Sequence, residues 1–367
     1  MMKLYEFDKK LILEDGSEYF GKGFGDHDER VFEIVFNTSS VGYQEILSDP
    51  SYTDQGVVFA YPLIGNYGIS ADDFETKTPT IGAMIVREFC PEPSNYRSIM
   101  TLEEVMKQNH IVGISEIDTR KLVCHIRDVG SCRAMIADIN TDTAQAIKEL
   151  REHVPPTDAV SRVSRKETEA YAADNAEYHV VAIDCGMKEN IIRSLVKRNC
   201  RVTAVPWNTR ACDILALHPD GLFLSNGPGD PQDVPEVIET VKALHGKLPI
   251  FGVCLGHQIL SLSYGAKTYK LNFGHRGGNH PIKNLATDKI EITAQNHSYA
   301  VDADSLNNTP LEVTHINLLD NTVEGVESVK DRVFGVQYHP ESAPGPQDSS
   351  YLFDRFIELM EEVKHHA

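Results

Sequence analysis

Basic residues are scarce in this chain. Its 367 residues include 35 Lys and Arg against 54 Asp and Glu, a formal net charge of −19. Nucleic acids and anionic bilayers are both bound through Lys and Arg, so neither nucleic acid nor membrane is expected as a partner. Long apolar runs are also missing. Stretches such as Gly221–Leu224 and Ile250–Leu255 fall far short of the roughly 20 residues a spanning helix needs. Charges interrupt the opening MMKLYEFDKKLILEDGS, which is not the pattern of a signal peptide. The seven cysteines (Cys90, Cys124, Cys132, Cys185, Cys200, Cys212, Cys254) are odd in number and scattered, with no Cys-x-x-Cys pair. That argues against a disulfide framework and for a reducing, cytoplasmic setting.

What is present is ordinary globular protein. Hydrophobic residues make up 41% and charged residues 24%, which excludes a disordered chain and a coiled coil. At about 150 residues per domain the length predicts two domains. Residues 1–154 read as a mixed, β-rich α/β domain. Lys10–Glu14 runs into the turn pair Asp15-Gly16, and Val31–Phe36, Val57–Tyr61 and Ile81–Val86 have the composition of strands. Thr101 and Glu104 form a capping-box signature, and Thr119–Val129 and Thr143–His153 read as helices. Residues 155–177 are polar with little periodicity and read as a linker. Residues 178–367 alternate short apolar strands with helices, the rhythm of βαβ units around a buried, mostly parallel sheet. The fold class is therefore α/β.

Three segments of the second domain carry chemistry. Phe251-Gly252-Val253-Cys254-Leu255-Gly256-His257 is Gly-x-Cys-x-Gly at a strand-to-helix junction, the thiol counterpart of the nucleophile elbow. A sharp turn there lifts the thiol clear of the backbone, and the helix N-terminus favours a thiolate and a developing oxyanion. A cysteine in an apolar run is usually a core residue, so this segment alone leaves the matter even. Downstream, Tyr338-His339-Pro340-Glu341 places His339 and Glu341 two apart, on one side of an extended segment. A carboxylate there can hold the imidazole of a general base. Leu224-Ser225-Asn226-Gly227-Pro228-Gly229-Asp230-Pro231 follows the strand before the cysteine strand. In a parallel sheet Gly227 and Gly229 can offer backbone amides to the same site, although such a sequence is by itself an ordinary turn.

Together these segments resemble the class I glutamine amidotransferase domain. The resemblance implies that Cys254 attacks the glutamine side-chain amide, His339 moves the proton and Glu341 orients His339. It places oxyanion donors at the N–H groups of Gly227 and Leu255. The N-terminal half resembles one family, the small chain of glutamine-hydrolysing carbamoyl-phosphate synthase, in Leu13–Gly25, Glu33–Gln55, Tyr61–Gly68 and Gly113–Leu122. The second half is similar in DCGMKENIIRSLVKR, Phe273–Pro281 and Ala294–Asp302. That resemblance implies L-glutamine contacts at Ser51, Gly227, Gly229, Leu255, Gln258, Asn296, Ser298 and Tyr299. Family members often carry glycine and phenylalanine at the last two places, so backbone contacts can persist where side-chain packing differs. It also implies a large synthetase subunit as partner in a heterodimer, an enclosed ammonia path, and ATP, bicarbonate and Mg used by that partner, with no cofactor in this chain.

Other readings stand beside this one. An amidotransferase of a different synthase, such as one making anthranilate or GMP, lacks this N-terminal extension. A non-catalytic relative would not keep Cys254, His339 and Glu341. The loop at Gly227 is not a phosphate loop, because no Gly-Lys-Ser/Thr follows it. His275 and His280 have no carboxylate or cysteine at a ligand spacing, so no metal is expected and the glycine-rich segment around them reads as a hairpin beside the pocket. Nothing in the sequence separates a role in arginine synthesis from one in pyrimidine synthesis.

Overall fold

In a computed structural model, residues 7–172 and 175–366 are described. The chain divides into two compact units, Met1–Pro156 and Thr157–Ala367. In the first, seven strands close into a barrel in the order Lys9–Leu13, Glu18–Gly25, Val112–Ser115, Ala83–Ile85, Gln55–Phe59, Arg30–Asn37 and Cys132–Asp138. The predicted hairpin joins the first two: Asp15 Oδ1 accepts from the Ser17 N–H at 2.8 Å, and the Gly16 N–H donates to the Leu13 carbonyl at 2.9 Å. The capping box forms at the helix Leu102–Gln108, where Thr101 and Glu104 each accept the other's backbone N–H. Leu102, Val105 and Met106 from that helix bury against Val35, Val57, Phe59 and Met84 of the barrel.

The second unit is built on a ten-stranded sheet. Five strands run parallel, in the order Cys200–Pro206, Tyr178–Asp184, Gly221–Leu224, Ile250–Val253 and Val333–Val336. Alternate side chains serve two cores, as strand geometry requires. Val181, Ile183, Leu222, Leu224 and Ile250 face Val237, Val241, Leu244, Ile259 and Leu260 of the helices Pro235–Leu244 and Leu255–Ser263. Val180, Ala182, Phe223, Phe251 and Phe334 face Ile191, Ile192 and Leu195 of the helix Glu189–Val196, and Phe353, Phe356 and Met360 of the helix Tyr351–His366. Helices on both faces of a buried parallel sheet are the doubly wound arrangement.

Beyond Val333–Val336 the sheet turns antiparallel: Val323–Ser328, Ile290–Val301, Thr268–Asn284 and Glu312–Asn317 follow in order. Glu312–Asn317 also pairs back onto Val323–Ser328, so these four strands close on one another.

One expectation needs correction. Residues 155–177 are not a plain linker. They carry the helix Ala159–Val163, with Ala159 and Val160 buried, and the strand Glu169–Tyr171, which pairs with Cys200–Pro206. Arg165 holds the segment down by donating to the buried Asp184 carboxylate at 2.7 Å. One ion pair and two small apolar contacts leave no periodic signature in a polar sequence. The segment around His275 and His280 does lie in a hairpin, as the middle of the 17-residue strand that pairs antiparallel with Ile290–Val301. Register shifts between Lys270 and His275, and again between Gly277 and His280, absorb its glycines as bulges.

Candidate active site

The strand Ile250–Val253 ends at Cys254, and the helix Leu255–Ser263 starts one residue later. No room exists for a gentler junction. A Cβ on Gly256 would stand 2.2 Å from the Leu224 carbonyl oxygen, so the first helical turn lies directly on the end of the neighbouring strand. Cys254 takes φ 54° and ψ −107°, a conformation costing a non-glycine residue on the order of 1–3 kcal/mol. The surrounding packing holds it there. Helix geometry leaves the N–H groups of Leu255, Gly256 and His257 without intrahelical acceptors, beside the thiol. Gly227 comes in from the adjacent strand end, close against the Leu255 side chain; a Cβ on it would meet the Cys185 carbonyl oxygen at 2.2 Å. Its loop is fixed from behind, since the Cys185 N–H donates to Ser225 Oγ at 2.9 Å and the Lys188 N–H donates to Asn226 Oδ1 at 3.2 Å.

Cys254 is 2% exposed. Its thiol donates to the Asn296 carbonyl at 3.5 Å and accepts from Gln337 Nε2 at 3.8 Å. His339 and Glu341 are also buried, and His339 Nδ1 lies 2.6 Å from Glu341 Oε1. In the neutral ring that contact puts the proton on Nδ1 and leaves the lone pair on the buried Nε2. Burial opposes a charge on the His339 ring, but the Glu341 carboxylate and the Cys254 thiol outweigh it and hold the ring's pKa above the ordinary value. Burial likewise opposes ionisation of Glu341, and it too is outweighed: Lys188 first, then His339, keep the carboxyl well below its ordinary value. Lys188 Nζ is 3.0 Å from Glu341 Oε1 and donates to the Ser342 carbonyl at 2.7 Å. The result is a buried line of charge, Lys188–Glu341–His339, ending at a thiol. Such an arrangement can draw the proton from the sulfur and stabilise the imidazolium that results.

The substrate residues named from the sequence fall as follows. Gln258 Nε2 donates to the Tyr299 carbonyl at 2.8 Å and to Gln337 Oε1 at 2.9 Å. Ser298 Oγ accepts from Arg276 Nη2. Of these, Gln337 and Asn296 touch the Cys254 thiol directly, and Gln258 reaches it through Gln337. Gly229 continues the loop from Gly227, at φ +87°. Ser51 lies in the first unit, in the short turn Pro50–Tyr52, where its N–H donates to Asp49 Oδ1 at 2.9 Å.

Two residues escaped the sequence reading. Gln337 was within reach of it: the alternation that pairs His339 with Glu341 also places Gln337 on their side. Lys188 was not, since its partner Glu341 is distant in the sequence. Among the described residues two groups bring metal-ligating atoms within 4.8 Å of one another, His275, His297 and Glu324, and Asp26, Asp28 and His110; neither includes Cys254, His339 or Glu341.

The sequence matches known families over both units. Residues 181–359 match the family described as glutamine amidotransferase class-I. Residues 11–136 match the family described as carbamoyl-phosphate synthase small chain, CPSase domain. The second unit is thus a class I glutamine amidotransferase domain, with the cysteine, histidine and glutamate its elbow and sheet bring together. The carbamoyl phosphate synthase pyrimidine-specific small chain of Halalkalibacterium halodurans is 52% identical over 359 residues, covering 98% of this chain and 99% of the relative. The carbamoyl phosphate synthase small chain of Fusobacterium nucleatum is 53% identical over 351 residues, 96% of this chain and 98% of that one. That of Bacillus caldolyticus is 52% identical over 354 residues, 96% and 97% respectively. With this identity over nearly its whole length, the chain belongs to the carbamoyl phosphate synthase small chain family.

Proposed function

We propose that this chain is the glutamine-hydrolysing subunit of a carbamoyl-phosphate synthase, with Cys254, His339 and Glu341 as its catalytic triad. The observation that carries the assignment is the buried thiol at a strained strand–helix elbow, facing an imidazole whose far nitrogen is held by an ionised carboxylate. His339 Nε2 takes the thiol proton as the sulfur attacks the amide carbon of L-glutamine. The oxyanion forms against the N–H groups of Leu255 and Gly227. The proton returns to the leaving nitrogen, ammonia departs, and a thioester remains on Cys254. Water, deprotonated by His339, then attacks the thioester carbon and frees glutamate and the thiol. Gln258, Asn296, Ser298, Tyr299, Gly229 and Ser51 are proposed to hold the rest of the glutamine.

The ammonia passes to a large synthetase subunit, the proposed partner, which uses ATP, bicarbonate and Mg to make carbamoyl phosphate. Ammonia in neutral water is mostly ammonium, a poor nucleophile, so an enclosed path preserves its reactivity. Among the described residues no helix is long and apolar enough to cross a membrane, in keeping with a proposed cytoplasmic setting.

The test is glutamate release from glutamine by this chain, alone and then with the large subunit, ATP and bicarbonate. Slow turnover alone, rising with the partner and matched by carbamoyl phosphate, is expected. Cys254→Ser should remove glutamine-dependent synthesis by about 10³-fold or more and leave ammonia-dependent synthesis intact. Unchanged glutamine-dependent synthesis in that variant overturns the catalytic assignment. Fast turnover indifferent to the partner overturns the subunit assignment.

A further inference from the structure

We propose that His275, His297 and Glu324 form a binding site for a divalent transition cation of the zinc type. The three residues come from separate strands, Thr268–Asn284, Ile290–Val301 and Val323–Ser328, among the four that close on one another. His275 and His297 are direct cross-strand partners. All three are buried, at 6%, 5% and 0% exposure, and one ligating atom of each lies within 4.8 Å of the other two.

The spacing suits an ion. Two ligands on a tetrahedral cation, each about 2.1 Å from it, stand about 3.4 Å apart. His275 Nδ1 and Glu324 Oε1 are 3.6 Å apart. The outer partners suit one as well. A ligating imidazole normally gives its other nitrogen to a carboxylate or carbonyl, and a ligating carboxylate is itself hydrogen-bonded. His275 Nε2 is 2.8 Å from Asp320 Oδ2, and His297 Nδ1 is 2.8 Å from the Tyr299 carbonyl oxygen. Glu324 accepts from Asn317 Nδ2 at 2.8 Å and from Gln295 Nε2 at 2.9 Å. With Nδ1 committed as a donor, His297 Nε2 is a lone pair, and it is buried without a hydrogen-bond partner. That lone pair, the His275 imidazole and the Glu324 carboxylate converge on one small volume, with Asn317 Nδ2 3.5 Å from His275 Nδ1 at its edge. A cation there satisfies all three ligands.

The sequence hides the site because each ligand lies on a different strand, and only the fold brings Glu324 to the histidines. Its position ties it to the elbow: His297 follows Asn296, whose carbonyl receives the Cys254 thiol proton. An ion at His297 braces the strand beneath that contact.

The test uses the full chain carrying Cys254→Ser, so that the thiol and His339 cannot offer a rival site. The protein is stripped with a chelator and titrated with Co²⁺, then with Zn²⁺. One equivalent of Co²⁺ with a tetrahedral visible spectrum, displaced by Zn²⁺, is expected. Glu324→Gln should abolish that spectrum, and Asp320→Asn, an outer-partner change that keeps all three ligands, should weaken binding about 10–100-fold. Circular dichroism confirms that each variant is folded. Absence of stoichiometric binding overturns the proposal and assigns the balancing charge to a protonated His275. So does binding that both variants leave unchanged. The readout is metal, not glutamine turnover, so it is independent of the glutaminase reading.

Discussion

The two halves of the ten-stranded sheet are held by different forces. In the parallel half, Tyr178–Asp184, Gly221–Leu224, Ile250–Val253 and Val333–Val336 are buried at every residue. Phe223, Phe251, Phe334, Phe353 and Phe356 pack ring against ring beside the cysteine strand. The antiparallel half buries Glu291, Thr293, Gln295, Asn296 and His297 from one strand alone, and satisfies much of that polarity with directed hydrogen bonds. Val333–Val336 is the seam, parallel to Ile250–Val253 and antiparallel to Val323–Ser328. Cys254 comes from one side of it, the Asn296 carbonyl from the other, and Gln337, His339 and Glu341 follow the seam strand itself. Volume packing fixes where Cys254 stands, while hydrogen bonding fixes what faces it.

The seam should be the most sensitive place. Glu341→Gln keeps the shape and removes the charge that holds His339, so glutamine hydrolysis should fall by up to about 10⁴-fold, the scale on which a triad carboxylate acts. A loss under tenfold would detach Glu341 from the triad. The same pair leaves a mark on stability. Glu341 is depressed, so its contribution is complete above about pH 4.5 and is lost as the pH falls through its folded value. His339 is raised, so its contribution is complete below about pH 6.5 and is lost as the pH rises through its folded value. The melting temperature should therefore plateau between those limits, and Glu341→Gln should weaken both flanks. Wild type and variant with parallel profiles would show that the pair is not coupled.

Next in size is a cavity in the apolar half. Phe251→Ala should cost about 3–5 kcal/mol in urea denaturation. A smaller change suits the polar half: Gln295→Met withdraws one donor from Glu324 and should cost about 1–3 kcal/mol. Equal losses in the two variants would erase the distinction between the halves. The smallest effect is expected at Ser298→Gly, which removes only the hydroxyl that accepts from Arg276. If backbone atoms make the glutamine contact there, KM should move by less than about tenfold, or ~1.4 kcal/mol.

This contrast also marks what could be read from the chain. The parallel half was legible in its rhythm: the alternation of short apolar strands and helices expected after residue 178 is observed in Gly221–Leu224, Pro235–Leu244, Ile250–Val253 and Leu255–Ser263. Buried parallel strands announce themselves as short apolar runs. Cys254, His339 and Glu341 were legible because flanking glycines and a two-residue spacing are local signals. The antiparallel half was less so. Thr268–Asn284 buries its middle through His275 and Arg276 rather than through apolar residues, and its bulges break the alternation that marks a strand. Lys188 and Glu324 depend on partners that only tertiary structure supplies. Closure of the first unit into a barrel was invisible too, since no residue of a strand states which neighbour it will have.

That closure bears on how other chains can join the molecule. In the barrel every strand has a neighbour on both sides, so a foreign strand finds no row of open backbone groups to extend. Anything that docks on the barrel must read side chains and loops. In the second unit one end of the sheet is Glu169–Tyr171, three residues long and exposed at Glu169, too short an edge to serve as a template. Closed on itself at one unit and ended by three residues at the other, the molecule leaves a foreign strand little to zip onto at either place.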